Sequence, residues 1–292
     1  MKLRPPDPAR DAEVVLALIV ARDIADVGRP DYTLEDVMAD WAAPGVDVAR
    51  DAWIAEDGGE ALGYALLDDR GAALVNVPPA SEGRGVGTRL REAAEARARE
   101  RGAAEVHQFL APANAGGAAH LAAAGYTAAF RYFRLAMDLA GAPAPPPGVA
   151  VRPYERGRDD DPVHALVEAA MAGVPGNQPR TPESWRAAKL DKAGWDPSLW
   201  LLHEDAEGLA GVALCERWED ATGYVDYLAV AERARGRGLG RALLLHGLAA
   251  LRAAGLERVE LSVQGQNASA TRLYESVGMT PGWTIDRWEK VL

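Results

Sequence analysis

A turn rich in arginine and glycine lies between two apolar segments in the second half of the sequence. It reads Arg-Gly-Arg-Gly-Leu-Gly-Arg at residues 235–241. Residues 224–230 before it are apolar, aromatic and β-branched, which predicts a strand. The residues after it have the apolar spacing of a helix as far as about Ala254. Because glycines let a ligand approach the backbone and the first N–H groups of a helix lack internal partners, this turn is suited to bind a phosphate or pyrophosphate.

Two common phosphate-binding motifs do not fit the turn. No Gly-x-Gly-x-x-Gly opens a βαβ unit here, and no Gly-Lys-Ser/Thr follows, which excludes a dinucleotide fingerprint and a Walker loop. The spacing of Arg235, Gly238 and Gly240 instead resembles the Arg/Gln-x-x-Gly-x-Gly/Ala signature of the GNAT N-acetyltransferase superfamily. A predicted strand from Arg258 and the segment at residues 267–279 resemble the next strand and helix of that family.

The resemblance implies a site for acetyl-CoA as the co-substrate. The pantetheine arm would pair with the backbone of the predicted strand, and the pyrophosphate would bind amides of the glycine turn. Asn267 would either contact the pantetheine or act as the N-cap of the next helix, a role that asparagine fills well. The residues that the resemblance assigns to acetyl-CoA are Leu228, Ala229, Val230, Arg235, Gly236, Arg237, Gly238, Leu239, Gly240, Arg241 and Asn267.

Acyl transfer to an amine requires that the ammonium group lose a proton and that the departing thiolate be stabilised. Tyr274 lies where the family has its leaving-group acid, and a phenol, with a pKa of about 10, can donate to a thiolate. Two carboxylates are candidates for the general base, because Tyr224 stands where several family members carry a glutamate. Asp226 shares a strand face with Tyr224, and Glu216 ends the preceding strand. Either carboxylate can instead be a solvated charge.

The same pattern occurs twice along the chain. Glycines and asparagines of the second copy have counterparts in the first, as in the pairs Gly238 and Gly85, Gly240 and Gly87, Asn267 and Asn114, and Gly278 and Gly125. A proline-rich segment at residues 141–148 separates the copies and reads as a stiff spacer. We therefore predict a GNAT domain at residues 1–138, a linker at 139–148 and a second GNAT domain at 149–292. Each is expected to be a mixed α/β fold, with a mostly antiparallel sheet flanked by helices and a splayed strand pair at the acyl-CoA site.

The first copy lacks parts that the chemistry needs. Glu82 replaces the leading arginine of the signature, and a carboxylate there would repel a pyrophosphate. Leu121 stands at the position of Tyr274 and cannot donate a proton. We therefore expect a degenerate first domain that supports a catalytic second one, although Arg84 leaves weak acyl-CoA binding open in the first.

Composition limits the classes of function. A net charge of −11 argues against broad nucleic-acid binding and suits a cationic acceptor. No apolar run is long enough to span a membrane, and the five histidines lack metal-binding spacing, so no membrane partner and no metal are expected. The single cysteine, Cys215, lies in an apolar run, which predicts a buried thiol in a reducing cytoplasm. The chain can be a monomer or a homodimer.

The tandem layout resembles the mycothiol-synthase-like branch of the superfamily. It implies an acetyl-CoA-dependent N-acetyltransferase that acts on a primary amine of a small molecule, such as an amino sugar, an antibiotic or a polyamine. The alternatives are a non-catalytic acyl-CoA-binding or sensor protein and a protein N-terminal or lysine acetyltransferase. The loop at residues 173–180 is expected to form a wall of the acceptor site. Trp185 and Trp218 are expected near pocket loops, as candidates to stack on the substrate.

Overall fold

The computed structural model describes residues 1–192, 194–218 and 221–292. Glu219 and Asp220, which the sequence suggests as turn residues, lie outside the described residues. The chain forms two compact units: unit 1 comprises Met1–Tyr132 and Thr284–Leu292, and unit 2 comprises Phe133–Trp283. The domain boundaries at residues 138 and 149 remain a prediction.

Unit 1 contains an antiparallel sheet and five of the described helices. In chain order, the elements that begin in it are β1 (Lys2–Arg4), α1 (Ala12–Val27), α2 (Leu34–Trp41), α3 (Val48–Asp51), β2 (Ala52–Asp57), β3 (Glu60–Leu67), β4 (Ala73–Asn76), α4 (Val86–Glu100), β5 (Glu105–Leu110), α5 (Ala115–Ala123) and β6 (Thr127–Asp138). Strands β1 to β4 lie in the order β1-β2-β3-β4, each antiparallel to its neighbour. Strand β5 pairs with residues 286–291 at the end of the chain.

Unit 2 repeats this arrangement. The elements that begin in it are β7 (Arg152–Pro153), α6 (Asp160–Met171), α7 (Pro182–Lys189), β8 (Trp200–Asp205), β9 (Gly208–Arg217), β10 (Thr222–Val230), α8 (Leu239–Ala253), β11 (Arg258–Gln264), α9 (Ala268–Glu275) and β12 (Thr280–Val291). Its sheet has the order β11-β10-β9-β8-β7, parallel between β10 and β11 and antiparallel elsewhere. The predicted mixed, mostly antiparallel α/β fold is confirmed.

Helix α8 packs closely on the sheet of unit 2 and so fixes the position of its own first turn. Its inner face carries buried leucines, among them Leu243 and Leu251, and burying each contributes about 1.5–3 kcal/mol. Two glycines in the strands make room for them. A Cβ added at Gly211 would lie 2.6 Å from Leu243, and one at Gly223 would lie 2.7 Å from Leu251. Larger residues in these strands would therefore push α8, and the glycine turn before it, away from the sheet.

Local signals in the sequence account for several helix starts. Thr33 and Asp36 form a capping box at α2, and the Thr181 side chain accepts a hydrogen bond from the Ser184 amide at α7. Within the described part of the chain, no helix combines the length and apolarity that a membrane span needs.

His107 is a buried imidazole in strand β5 of unit 1. Burial lowers its pKa to about 3, and the nearby cations Arg287 and Arg70 act in the same direction. In the unfolded chain the pKa is about 6.5, so the unfolded state binds a proton first as the pH falls, and stability is lost through this range. Between about pH 7 and pH 5 we expect the unfolding free energy of the wild type to fall by about 2 kcal/mol more than that of His107→Gln. Urea unfolding of both proteins at the two pH values measures this, and equal losses would contradict it.

Candidate active site

Strands β10 and β11 separate towards their carboxyl ends. Within the described residues, the parallel ladder joins residues 222–224 to residues 258–260 and goes no further. On its other side β10 stays paired with β9 as far as Val230, with a register shift between Val225 and Tyr227. One backbone edge of β10 is thus left without a strand partner. An extended ligand can pair with such an edge as an added strand.

A cavity of about 430 Å³ opens where the two strands separate. Its walls come from the end of β10, the glycine turn, the start of α8, and α9, with one residue from α6. The lining residues are Ala170, Leu228, Ala229, Val230, Ala234, Arg235, Gly236, Gly238, Leu239, Gly240, Asn267, Ser269, Ala270, Leu273 and Tyr274. This volume lies within the usual range for a small-molecule site.

The glycine turn brings uncapped amides to this cavity. Gly236 and Gly238 have φ angles of 75° and 80°, a left-handed conformation that other residues adopt only at a cost. Gly238 is the N-cap of α8 and has no side chain, so it provides no hydrogen-bond acceptor for the first amides of the helix. The Arg235 Nε donates to the Val230 carbonyl at 3.1 Å and ties the turn to the strand. Such a helix start favours an anion through its amides and its dipole.

The structure brings together most of the residues that the resemblance assigned to acetyl-CoA. All of them line the cavity except Arg237 and Arg241, whose side chains are exposed. Asn267 both lines the cavity and caps α9, where its side chain accepts from the Ala270 amide at 3.1 Å. Four lining residues that were not predicted lie close to predicted ones in the chain: Ala234, Ser269, Ala270 and Leu273. Ala170 on α6 was not predicted either, and the sequence carries no signal for it.

Tyr274 lies on α9 as part of the same cavity wall. Its ring packs against the hydrophobic core of unit 2. Burial raises the pKa of its hydroxyl to about 12, and the neighbouring Tyr224 contributes in the same direction. The phenol is therefore protonated at neutral pH and can donate a hydrogen bond or a proton.

The two candidate carboxylates lie outside the cavity lining, and each is paired with a lysine. The Asp226 carboxylate accepts from Lys189 Nζ at 2.6 Å, and both side chains are largely buried. Burial raises the pKa of Asp226, and the Lys189 charge opposes that shift. Glu216 lies 3.2 Å from the more exposed Lys192 and accepts from Trp218 Nε1 at 3.0 Å. Glu216 is thus held by the weaker of the two ion pairs.

Aromatic side chains stack beside these carboxylates. The rings of Trp218 and Tyr224 are parallel, with centroids 4.2 Å apart. The Arg134 guanidinium lies 4.7 Å from the Trp218 ring centre and 5.0 Å from that of Trp283. Trp218 lies beside Glu216, to which its Nε1 donates, and its contact with substrate stays a prediction. Trp185 is instead fully buried in the core of unit 2, so its suggested contact with substrate is wrong.

The loop at residues 173–180 is tied to the end of β11. The Gln264 side-chain amide donates to the Pro175 carbonyl at 2.7 Å. At its other end, the Arg180 backbone amide donates to Glu168, and the Arg180 carbonyl lies 2.9 Å from His164 Nε2. The loop is thereby held beside the strand that bounds the gap.

Unit 1 has a cavity of similar size, about 450 Å³, at the corresponding glycine turn. Gly85 there is the N-cap of α4, with a φ of 78°. Glu82 binds the Arg22 guanidinium at 2.5 Å, and Arg22 also binds Asp26 at 2.6 Å. Leu121 lines this cavity where unit 2 has Tyr274. Both units thus keep the turn, but the unit 1 cavity holds a carboxylate and lacks the phenol.

Cys215 takes no part in either cavity. It is buried in the core of unit 2, and burial raises the pKa of its thiol to about 12. Because the thiolate is the reactive form, this residue acts in packing and not as a nucleophile.

Comparisons with known proteins agree with this geometry. The model of the acetyltransferase (GNAT) family matches residues 19–126 and 165–279, one region for each copy in the sequence. The chain is 36% identical over 288 residues to a protein of Thermobispora bispora named mycothiol acetyltransferase, covering 94% of each.

Two solved structures are similar over almost the whole chain. A GCN5-related N-acetyltransferase from Sphaerobacter thermophilus has a TM-score of 0.85 at 28% identity, covering 99% of this chain and 95% of that one. A tandem GNAT protein from the clavulanic acid biosynthesis pathway has a TM-score of 0.75 at 20% identity, covering 99% and 98%, which shows likeness of fold. The predicted tandem arrangement is confirmed.

Proposed function

The chain belongs to the GNAT acetyltransferase family and is an N-acetyltransferase, and from this premise we propose that unit 2 transfers the acetyl group of acetyl-CoA to a primary amine of a small molecule. The family uses acetyl-CoA, so the part proposed here is where it binds, which unit acts and what kind of amine accepts. We also propose the cytoplasm as its location, since a chain with one buried cysteine suits a reducing compartment.

The observation that supports this proposal most strongly is the composition of the unit 2 cavity. An unpaired strand edge, uncapped helix amides and a protonated phenol line one space of about 430 Å³. The strand edge suits the amide groups of a pantetheine arm, and the helix start suits a pyrophosphate. In unit 1 the corresponding space contains Glu82 and Leu121 instead. These differences favour unit 2 as the active one.

The residues of unit 2 divide the proposed chemistry between them. Acetyl-CoA, when bound, supplies an acyl group joined to sulfur. The end of β10 orients the thioester, and the start of α8 holds the phosphates. A base takes a proton from the acceptor ammonium, the amine nitrogen forms a bond to the acetyl carbon, and the carbon–sulfur bond breaks. The nitrogen releases a second proton as the amide forms. Tyr274 donates a hydrogen bond or its proton to the departing thiolate, and where it gives its proton, the second proton from nitrogen restores the phenol through water.

We propose Glu216, acting directly or through water, as the base rather than Asp226. Accepting a proton would cost Asp226 its contact with a buried lysine, whereas the partner of Glu216 is half exposed.

Glu216→Gln is expected to lower kcat by about 10²-fold or more, with less than about 1 kcal/mol lost in stability. Asp226→Asn is expected to lower the unfolding free energy by about 3 kcal/mol, because it leaves Lys189 without its counter-charge.

Activity per folded molecule and urea unfolding of both variants separate the two roles. If kcat falls by that factor in Asp226→Asn and is unchanged in Glu216→Gln, the assignment of the base is reversed.

Two observations bear on the acceptor and point in different directions. The name of the Thermobispora bispora relative favours mycothiol chemistry, and thus an acceptor related to mycothiol. Against this, Tyr224 stands where the resemblance places a glutamate in several members of the family. We therefore propose a small amine as the class, with unacetylated mycothiol as one member of it.

A panel of amines tests the proposal. Amino sugars, aminoglycosides, polyamines, amino acids, short peptides and unacetylated mycothiol are each incubated with the protein and acetyl-CoA. Release of CoA thiol and a product heavier by one acetyl group are expected with at least one class of small amine. Acetyl-CoA binding without turnover on any amine would favour the sensor alternative, and turnover on peptides alone would favour protein acetylation.

A further inference from the structure

Arg134 and Trp283 offer N–H groups that are buried and have no acceptor among the described residues. They are Nε and Nη1 of the arginine and Nε1 of the indole. The carboxylate of Glu260 lies 3.7 Å from Arg134 Nη1, which is too far for a hydrogen bond. A buried donor without a partner costs about 1–3 kcal/mol, more when it is charged. These donors therefore favour a ligand that brings oxygen acceptors.

The rings around Arg134 hold its guanidinium in one place. It lies 4.7 Å from the Trp218 ring centre, 5.0 Å from that of Trp283 and 5.3 Å from that of Tyr224. Such contacts stabilise a cation without accepting its hydrogen bonds. The side chain is thus fixed in position while its Nε and Nη1 have no acceptor among the described residues, a placement that suits an anion.

The described carboxylates near Tyr224 each have a nearer cationic partner than Arg134. Asp226 and Glu216 are each neutralised by a lysine, and Glu260 is shared between Arg258 at 3.2 Å and Arg134 at 3.7 Å. The positive charge of Arg134 therefore has no close carboxylate partner among the described residues, which suits a ligand group with negative charge.

Tyr224 connects this cluster with the cavity. It is the last residue of β10 that pairs with β11, so the gap begins directly after it. It also lies near enough to Tyr274 for the two phenols to interact electrostatically. A molecule held against Arg134 would therefore lie beside Tyr224, where the gap between β10 and β11 begins.

We propose that Arg134 binds a carboxylate of the acyl acceptor, and that the acceptor is a primary amine that also carries a carboxylate. Arg134 donates charge-assisted hydrogen bonds to the carboxylate, and Trp283 Nε1 can add a neutral one. This inference rests on the proposed acetyl transfer and narrows its acceptor from small amines to amino acids and related acids.

Matched pairs of acceptors test the role of Arg134. The probes are β-alanine with β-alaninamide and 4-aminobutyrate with 4-aminobutyramide, each with acetyl-CoA. The wild type is expected to prefer the acid over the amide by about tenfold or more in kcat/KM, as loss of a charged hydrogen bond implies. Arg134→Gln should abolish the preference without changing the KM for acetyl-CoA, and Arg134→Lys should restore part of it.

Arg131→Gln serves as the control, because Arg131 lies on the same strand but binds Asp286 in unit 1. Its preference for the acid should equal that of the wild type. Equal use of acid and amide by the wild type, or an equal loss with both in Arg134→Gln, would overturn the proposal.

Calorimetric binding of the acid and amide probes to the CoA-bound protein tests the carboxylate site independently of acetyl transfer. If no amine is acetylated, the proposed function fails, yet tighter binding of the acid than the amide, lost in Arg134→Gln, still supports the carboxylate site. Equal binding of both probes would overturn the site whatever the turnover.

Discussion

Tyr274→Phe is expected to lower kcat for acetyl transfer by about 10²- to 10⁴-fold, the range usual for loss of a general acid. The phenol lines the cavity and stays protonated at neutral pH because burial raises its pKa to about 12. Phenylalanine keeps the ring that packs on the core, so the variant should fold normally and bind acetyl-CoA as tightly as the wild type. Steady-state CoA release together with calorimetric binding of acetyl-CoA measures the two effects separately.

Tyr224→Phe is the matched control for this variant. It too loses one largely buried hydroxyl, and its ring keeps the stack on Trp218. We expect its kcat to fall by less than about tenfold, since a single neutral hydrogen bond contributes about 1 kcal/mol. A larger loss in Tyr224→Phe than in Tyr274→Phe would move the acid to the other phenol and remove the main support for the proposed mechanism.

Gly238→Val is expected to raise the KM for acetyl-CoA by about ten- to a hundredfold, since one lost charge-assisted hydrogen bond to an anion costs about 1.5–3 kcal/mol. Gly238 is the N-cap of α8, with a φ of 80° that a β-branched residue adopts only under strain. Relieving this strain turns the first amides of α8, and the new side chain takes the space in which the phosphates would approach. Initial rates at varied acetyl-CoA concentrations give the KM.

Gly85→Val is the control that unit 1 provides for this variant. Gly85 is the N-cap of α4 with a φ of 78°, and at neither glycine would an added Cβ meet an atom within 4 Å. The two substitutions should therefore cost similar stability in urea unfolding, while only Gly238→Val raises the KM. If Gly85→Val raised the KM and Gly238→Val did not, the acetyl-CoA site used in the reaction would be the one in unit 1.

The parts of the site that the sequence predicts are local in the chain. The strand, the glycine turn and the start of α8 are consecutive, so their residue types carry the signal directly. Asn267 and Tyr274 lie on one short helix whose N-cap is readable from its residue type. Contacts within a few residues depend on backbone preferences that a single sequence displays.

The parts that it does not predict depend on pairing between distant segments. Arg134 meets Trp218 and Trp283 only because of the register in which their strands lie, and register is not written in any one strand. The contact of Lys189 with Asp226 likewise depends on how α7 packs against β10. Trp185 is a wrong prediction with the same cause. The sequence around an aromatic residue near a loop does not show whether its side chain contacts substrate or packs in the core.

The last strand of the chain has a consequence for how the protein is made. Residues 286–291 pair with β5, and Lys290 binds Glu95 on α4, so unit 1 contains residues that are synthesised after all of unit 2. A ribosome must therefore synthesise all of unit 2 before unit 1 can close. Until then the edge of β5 that those residues cover stays open in the nascent chain, and a message truncated before the codon for Asp286 would leave unit 1 incomplete.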